Sequence, residues 1–584
     1  MNRQHPQLDP LLNRTRVPGR PRGPVPGEAI DYPEVDPEAP YRNTYLGFIE
    51  TPIVDVSGNR RDMLAYIPVT EKSAWNMALV LLPGGVEARA FIEENGWIDA
   101  LEKHCMTGFF LPCAECWGAL SDGDALDCAV RALAEMRRNR WFQSNAPGIY
   151  CVGFGDGAKV AALFAITHAS VLAGWAACGA TGLDPALLDS LGNGPSDCEA
   201  SIPRREVPLP ALILDDQKSN VVDYFIRANR AVDEGLRNDL ARVYRQRPIL
   251  GESYVNDPAV GEVWHGPEQA LTPALAERML AFLERFKRWA GWGNGHIRPT
   301  IHAEEDGMRR TDRTIGGLKR YWLTFEPSAW KRDPQAKRPL VIAIHGFTCT
   351  GEFFANNSGW HAVGEERGAF VVFPTAYPFK RRVPSPMGPH IATPEWNAGG
   401  MGRDTSDGPD ELEYFRALLE DTMAKYPIDP TRVYVTGHSN GAMMTQRLMR
   451  CMPKAFAGFA PVGFMEALRG GMEDEPADGV LRNVWYTMGE FDGQGCALEA
   501  GNVNMVTIEK LCRHNGCPLD ARRHYESGIY MHSLWRDAAG VPLVRFTGIR
   551  NWPHTYTPEL AFMIYDEFFA RFIRRPDGTL EYLA

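Results

Sequence analysis

The sequence predicts an α/β protein of two tandem domains, each a mostly parallel sheet with helices on both faces. Three observations carry this. From about Tyr45 onward, strand-like, turn-like and helix-like segments alternate, as they do when helices cover a largely parallel sheet. A block of domain size occurs twice with its parts in the same order. The chain of 584 residues is also several times the length of a single core.

The first copy runs through DMLAYIPV (62–69), the apolar strand and glycine turn MALVLLPGG (77–85), NGWIDALEKHCMTGFFLPC (95–113) and YCVGFGDGAKVAALFA (150–165). The second runs through RYWLTFEPSAW (320–330), PLVIAIHGFT (339–348), SGWHAVGEERGAFVVFPT (358–375) and VYVTGHSNGAMMTQRLM (433–449). Each closes on a W/P/H turn before a helix-like run, EVWHGPE (262–268) and NWPHTYTPE (551–559). The glycine-rich, proline-closed AGWGNGHIRPT (290–300) reads as the junction. This gives domains at 41–292 and 300–584, behind an extended or disordered Pro/Arg-rich arm at 1–40. In ELEYFRALLEDTMAKY (411–426), Leu412, Phe415, Leu418 and Leu419 share a helical face, and Pro427 ends the helix.

Composition excludes several function classes. The net charge of −11 argues against nucleic acid as partner. No apolar run reaches spanning length, so no membrane partner is expected. The N-terminus lacks the apolar stretch of a secretory signal, and the expected compartment is cytoplasmic. The 12 cysteines read as buried thiols. Cys113 and Cys116 form a lone C-x-x-C with no second pair at metal-binding distance, so neither a zinc nor a redox role is expected of them.

Gly437-His438-Ser439-Asn440-Gly441 matches G-x-S-x-G between a strand-like and a helix-like run. In that context the serine sits on a strained strand-to-helix bend, with glycines letting the two elements approach. Serine needs a base to attack at neutral pH, and in this arrangement acid and histidine follow the serine in the chain. Asp492 lies just past the strand-like NVWYTMGEFDG (483–493), with Glu490 as nearest competitor and Asp478 further off. Of His514, His524, His532 and His554, only His554 follows the last strand-like run, VRFTGI (544–549). The oxyanion donors are expected to be the backbone N–H groups of Asn440 and Phe347, the latter in the turn that ends the strand-like PLVIAIHGFT (339–348).

With these residues in view, the second half resembles the polyhydroxybutyrate depolymerase-like and feruloyl-esterase-like α/β hydrolases. The blocks carrying the likeness are LVIAIHGFTCTGEFF (340–354), SGW (358–360), WNAGG (396–400), YPIDPTRVYVTGHSNGAMMTQRL (426–448), FAGFAPVGF (456–464), MGEFDG and WPH. The resemblance implies cofactor-free ester hydrolysis through an acyl-enzyme, with Trp396 and Asn397 lining the cleft. His345, His438 and Trp552 join them as candidate substrate-binding residues. The substrate expected is a small or oligomeric ester, aryl (feruloyl-like) or short hydroxyacyl. The same triad also suits a peptidase or amidase, and a third reading is a binding or scaffold protein with both sites idle.

The first copy reads as a degenerate enzyme. Its elbow is Gly153-Phe154-Gly155-Asp156-Gly157, with Gly155 in place of the nucleophile and Ser219 or Asn220 in place of the acid. His265 is expected at the matching turn, 110 residues after Gly155 against 115 between Ser439 and His554. Such a domain would scaffold the second, cover its cleft or mediate a homodimer. Pocket-shaping loops are expected at 379–400, 465–479 and 528–540, with Arg381 and Arg382 in the first.

Overall fold

The structure, a computed structural model, describes residues 35–43, 46–70, 76–138, 146–196, 202–247, 260–289, 296–379, 393–399, 408–466 and 478–583. Arg381, Arg382 and most of the loops at 379–400 and 465–479 lie outside them.

Two sheets of 10 strands dominate. In spatial order the first is Gly47–Glu50, Leu64–Ile67, Met106–Leu111, Asn76–Leu81, Ile149–Phe154, Gly174–Cys178, Ala211–Leu214, Glu262–Gly266, Arg242–Gln246 and Ala231–Arg237. The second is Met308–Ile315, Leu318–Phe325, Phe370–Pro374, Arg338–Ile344, Ile428–His438, Gly458–Val462, Val484–Gly489, Pro542–Ile549, Tyr530–Arg536 and Arg523–Ser527. Strand for strand the orders correspond. In both, the central strands are parallel and the outer ones antiparallel. The central strands read as unbroken apolar runs because helices cover both faces: Leu340 through Ile344 are all 0% exposed.

The helix Glu411–Lys425 is capped by Asp410, whose carboxylate accepts the Leu412 and Glu413 N–H groups. Its buried face is centred on Tyr414, Phe415, Leu418 and Leu419, while Leu412 is only half-buried. Two expectations change. The segment 528–540 is no pocket loop: Tyr530–Arg536 is a strand paired on both sides, with His532, Ser533, Leu534 and Trp535 buried. The helix-like run after NWPHTYTPE is α-helical over Leu560–Glu567 and continues as a short 3-10 turn at Phe569–Arg571, and Phe572–Arg574 beyond it pairs with Leu580–Tyr582.

That terminal hairpin has a counterpart in the first copy, Phe286–Arg288 paired with Ile297–Pro299, which spans the glycine-rich junction. Each hairpin is bolted to its own copy by the same groups. The Tyr150 hydroxyl donates to the Phe286 carbonyl at 2.7 Å, and the Tyr434 hydroxyl to that of Phe572 at 2.8 Å. Arg288 donates to the carbonyls of Ala169, Leu172 and Pro208, and Arg574 to those of Phe456, Gly578 and Leu481. Each guanidinium thus satisfies carbonyl groups that are costly to bury unpaired.

The described end of the arm, Glu38, and Tyr41 just beyond it dock on the second copy. Tyr41 packs edge-on to Tyr321 at 4.6 Å and its hydroxyl donates to the Lys319 carbonyl, while the Lys319 ammonium reaches Glu38. Beneath it lies the buried ion pair Arg320–Glu411 at 2.7 Å, with the Arg320 guanidinium 3.8 Å from the centre of the Tyr414 ring.

Candidate active site

Ser439 follows the strand Ile428–His438 and caps the helix Asn440–Cys451 with φ 56° and ψ −114°. A side chain in that region costs about 1–3 kcal/mol, so the surroundings must hold it. They do so through the Ser439 N–H, which donates to the Val462 carbonyl at 2.9 Å, and through two close approaches. A Cβ on Gly437 would lie 2.3 Å from the Gly441 carbonyl oxygen, and one on Gly441 would lie 2.3 Å from that of Ile344. Glycine at both positions is therefore a packing requirement. Gly346, in the turn before Phe347, comes within 3.5 Å of the Ser439 Cβ when given a Cβ of its own. The expected oxyanion turn and the elbow thus face each other.

The His554 Nδ1 contacts the Asp492 carboxylate. The other oxygen of Asp492 accepts the Gly489 N–H at 2.5 Å. The carboxylate side chain is 2% exposed and the imidazole 32%. The competitors are engaged elsewhere: Glu490 accepts the Asn551 N–H and Asp478 pairs with Arg482. A Cβ on Gly489 would sit 2.6 Å from the Trp552 carbonyl, so glycine there lets the acid and base loops touch. Among the other histidines, His514 is held by Arg482 and the Val480 carbonyl, His532 by Thr547, and His524 lies beside Ser533 and Glu526.

The His554 ring lies against the elbow. Its centre is 4.5 Å from that of His438, and a Cβ on Gly463 would be 3.0 Å from its Cε1. The His438 Nε2 is buried without a hydrogen-bond partner. Burial first, and then the neighbouring His554, pull the His438 imidazole well below the usual histidine range, so it stays neutral.

Three residues expected to touch substrate are buried supports instead. His345, Trp396 and Asn397 are at most 1% exposed. His345 bridges the Ala376 N–H and the Gly346 carbonyl, and burial pushes it down to about 3. The Trp396 indole donates to the His345 carbonyl, while its backbone N–H and carbonyl are both clasped by the Asn440 side chain. The Asn397 amide donates to the Pro409 carbonyl. Trp552 is half-buried, its indole N–H bonded to the Thr555 carbonyl in its own loop.

The first copy reproduces this frame with other residues at its tip. Gly155 has φ 55° and its N–H donates to the Cys178 carbonyl at 2.9 Å, as Ser439 does to Val462. The Trp117 indole donates to the Leu82 carbonyl at 2.7 Å, as Trp396 does to His345. Gly84 therefore stands where Phe347 stands, and its N–H donates to the Asp156 carboxylate at 2.8 Å; the other Asp156 oxygen accepts the Trp117 N–H at 2.7 Å. A carboxylate anchored in the protein occupies the donor that an oxyanion would need. Ser219, as far beyond Leu214 as Asp492 is beyond Thr487, bonds Thr181.

His265 is not at the matching turn. It lies inside the strand Glu262–Gly266, paired with Ile213, at the register where the second copy has Phe546 paired with Tyr486. The chain beyond brings Gln269 against Cys178 instead. Counting residues misplaced the histidine because the two copies differ in the lengths of the segments before it.

The elbow, the order of its partners along the chain and the parallel sheet define the class, an α/β hydrolase. No known family model matches the chain. Poly(3-hydroxyalkanoate) depolymerase C of Paucimonas lemoignei is 25% identical over 246 residues, covering 38% of this chain and 55% of that protein. Acetylxylan esterase A of Aspergillus ficuum is 29% identical over 118 residues, 20% of this chain and 35% of that protein. The chain thus spans about half or less of the length of these curated relatives. Among solved structures, acetyl xylan esterase from Aspergillus awamori aligns with a TM-score of 0.32 and 17% identity, over 45% of this chain and 99% of its own. The chain is thus similar in sequence to poly(3-hydroxyalkanoate) depolymerase and acetylxylan esterases, and its fold is that of an α/β hydrolase. Among the described residues, no helix is long and apolar enough to cross a membrane.

Proposed function

We propose that the second copy is a serine esterase working through an acyl-enzyme on aryl (feruloyl-like) or short hydroxyacyl esters, and that the first copy is a pseudo-enzyme. The observation that carries this is the buried Asp492 carboxylate on Nδ1 of an accessible His554, whose ring packs on the elbow of Ser439. With Nδ1 turned to the acid, Nε2 is left as the base. It takes the Ser439 proton as Oγ adds to the ester carbonyl, and Asp492 stabilises the imidazolium so formed. The negative charge on the tetrahedral oxygen falls to the backbone N–H groups of Asn440 and Phe347, fixed in advance by the helix start and the turn. Nε2–H then protonates the departing alkoxide. Water repeats the sequence on the acyl-enzyme and frees the acid and Ser439.

Both oxygens of Asp156 bonded to backbone donors, and Gly155 at the elbow tip, support an idle first copy. The test is turnover of a panel of nitrophenyl esters and aminoacyl anilides by the full chain and its S439A variant. Ester hydrolysis that vanishes in S439A is expected. Full ester activity in S439A would overturn the assignment, and faster anilide cleavage would turn it toward an amidase.

A further inference from the structure

The hairpin that closes the first copy carries a side chain into the second. Trp289 directly follows its first strand, and the Trp289 N–H donates to the His296 carbonyl at 2.7 Å. The indole is 2% exposed and packs in the hydrophobic core of the second copy. Its Nε1–H donates at 2.7 Å to the carbonyl of Tyr556, two residues beyond His554. Tyr556 in turn is fixed from the other side, its hydroxyl sharing a hydrogen bond with Thr436 of the elbow strand at 2.9 Å and its ring edge-on to Phe354.

The corresponding place in the other hairpin shows that this contact is a departure from the shared frame. After Phe572–Arg574 comes Arg575, an exposed side chain paired with Glu581. The two hairpins keep the same tyrosine and arginine anchors and differ in what the next residue does. In the first copy it leaves its own domain and grips the loop bearing the base of the other.

We propose that the first copy acts on catalysis through Trp289, a positioning residue that holds the His554 loop at the height where Nε2 meets the Ser439 hydroxyl. The proposal rests on the reading of Ser439, Asp492 and His554 as the triad. The hairpin is suited to this because Tyr150 and Arg288 fix it to the first sheet, so the grip on Tyr556 is backed by a whole domain. The Arg298 guanidinium stacks 5.7 Å from the centre of the indole ring and steadies it. A base displaced by even about 1 Å loses far more rate than binding, because alignment is spent in the transition state.

The experiment compares full-length W289F, R298A, R575A and S439A on one nitrophenyl ester, with melting temperatures for each. W289F keeps an aromatic ring and loses the N–H, and kcat should fall roughly tenfold with KM within twofold of the parent. R298A should move kcat the same way by a smaller factor and stands in if W289F does not fold. R575A, at the matching place in the other hairpin, should leave both constants unchanged. Parental kcat in folded W289F and R298A, with S439A inactive, would overturn the positioning role and leave the triad standing. An active S439A would overturn the triad reading and this inference with it.

Discussion

The carboxylate of Asp156 accepts the Gly84 N–H at 2.8 Å, the backbone donor that corresponds to Phe347 in the other copy. Asn440, its counterpart at the elbow, directs its side chain to Trp396 instead. At the first copy's elbow the Asp156 carboxylate therefore already takes the Gly84 N–H, a contact the Asn440 side chain does not make in the second.

Removing that carboxylate should therefore cost stability. D156A leaves the Gly84 and Trp117 N–H groups without their charged acceptor, a loss of about 2 kcal/mol. Urea unfolding of the full chain should show an earlier transition for the first copy. G155S should still give no phosphonate adduct at position 155, since the Gly84 N–H is already taken by Asp156 and, among the described residues, no histidine stands where His554 does.

The contact of Asp492 with His554 predicts a sharp split between two neighbouring carboxylates. D492N should cut kcat by about 10⁴, because an amide no longer selects the tautomer or steadies the imidazolium. E490Q should stay within a few-fold of the parent, since the Glu490 carboxylate accepts the Asn551 N–H rather than meeting His554. Equal losses in the two would remove the basis for choosing between them.

Gly463 separates the elbow from the base. Its φ is 76°, and a Cβ there would lie 3.0 Å from the His554 Cε1 and 3.1 Å from the His438 Cδ2. G463A should lower kcat by about 10²-fold through displacement of the ring, with a stability cost of about 1–2 kcal/mol from backbone strain. Steady-state kinetics with a parallel thermal melt separates the two effects.

Lys287 in the same closing hairpin as Trp289 predicts a pH effect. It is buried, its ammonium donates to the Asn76 amide oxygen at 2.8 Å, and burial pushes it down to about 8 against the opposing pull of Glu284. Between about 8 and the unfolded value near 10.4 the unfolded chain binds more protons, so stability of the first copy rises with pH there. Below about 8 both states are charged and the burial cost is felt in full. K287M should stabilise the first copy at pH 7, by on the order of 1–3 kcal/mol, and flatten the rise above pH 8. Chemical denaturation at pH 7, 8.5 and 10 reads this directly.

Much of the architecture was legible because it rests on local sterics. The elbow glycines are legible since no other residue fits 2.3 Å from a carbonyl, and the central strands since burial on both faces leaves an unbroken apolar run. Chain order and the ends of strands point to Asp492 and His554, which the structure brings into contact. What escaped depends on partners far apart in the chain. Tyr530–Arg536 looked like a loop because its pairing strands, Arg523–Ser527 and Pro542–Ile549, carry the information. Trp396 and Asn397 looked like cleft residues because they sit beside the nucleophile, whereas their burial follows from Asn440 and Glu411 beneath them. Trp289 gave no signal at all: a tryptophan at the edge of a glycine-rich junction has no motif, and its meaning lies in a carbonyl of the other copy.

The central claim is that one bent backbone position exposes the only nucleophile this chain uses. Reaction of the full-length protein with a fluorophosphonate, followed by peptide mapping, tests it most directly. The account predicts a single adduct on Ser439 that appears as ester hydrolysis is lost, and none in D492N over the same interval. An active protein whose Ser439 stays unmodified while another residue carries the adduct would contradict it.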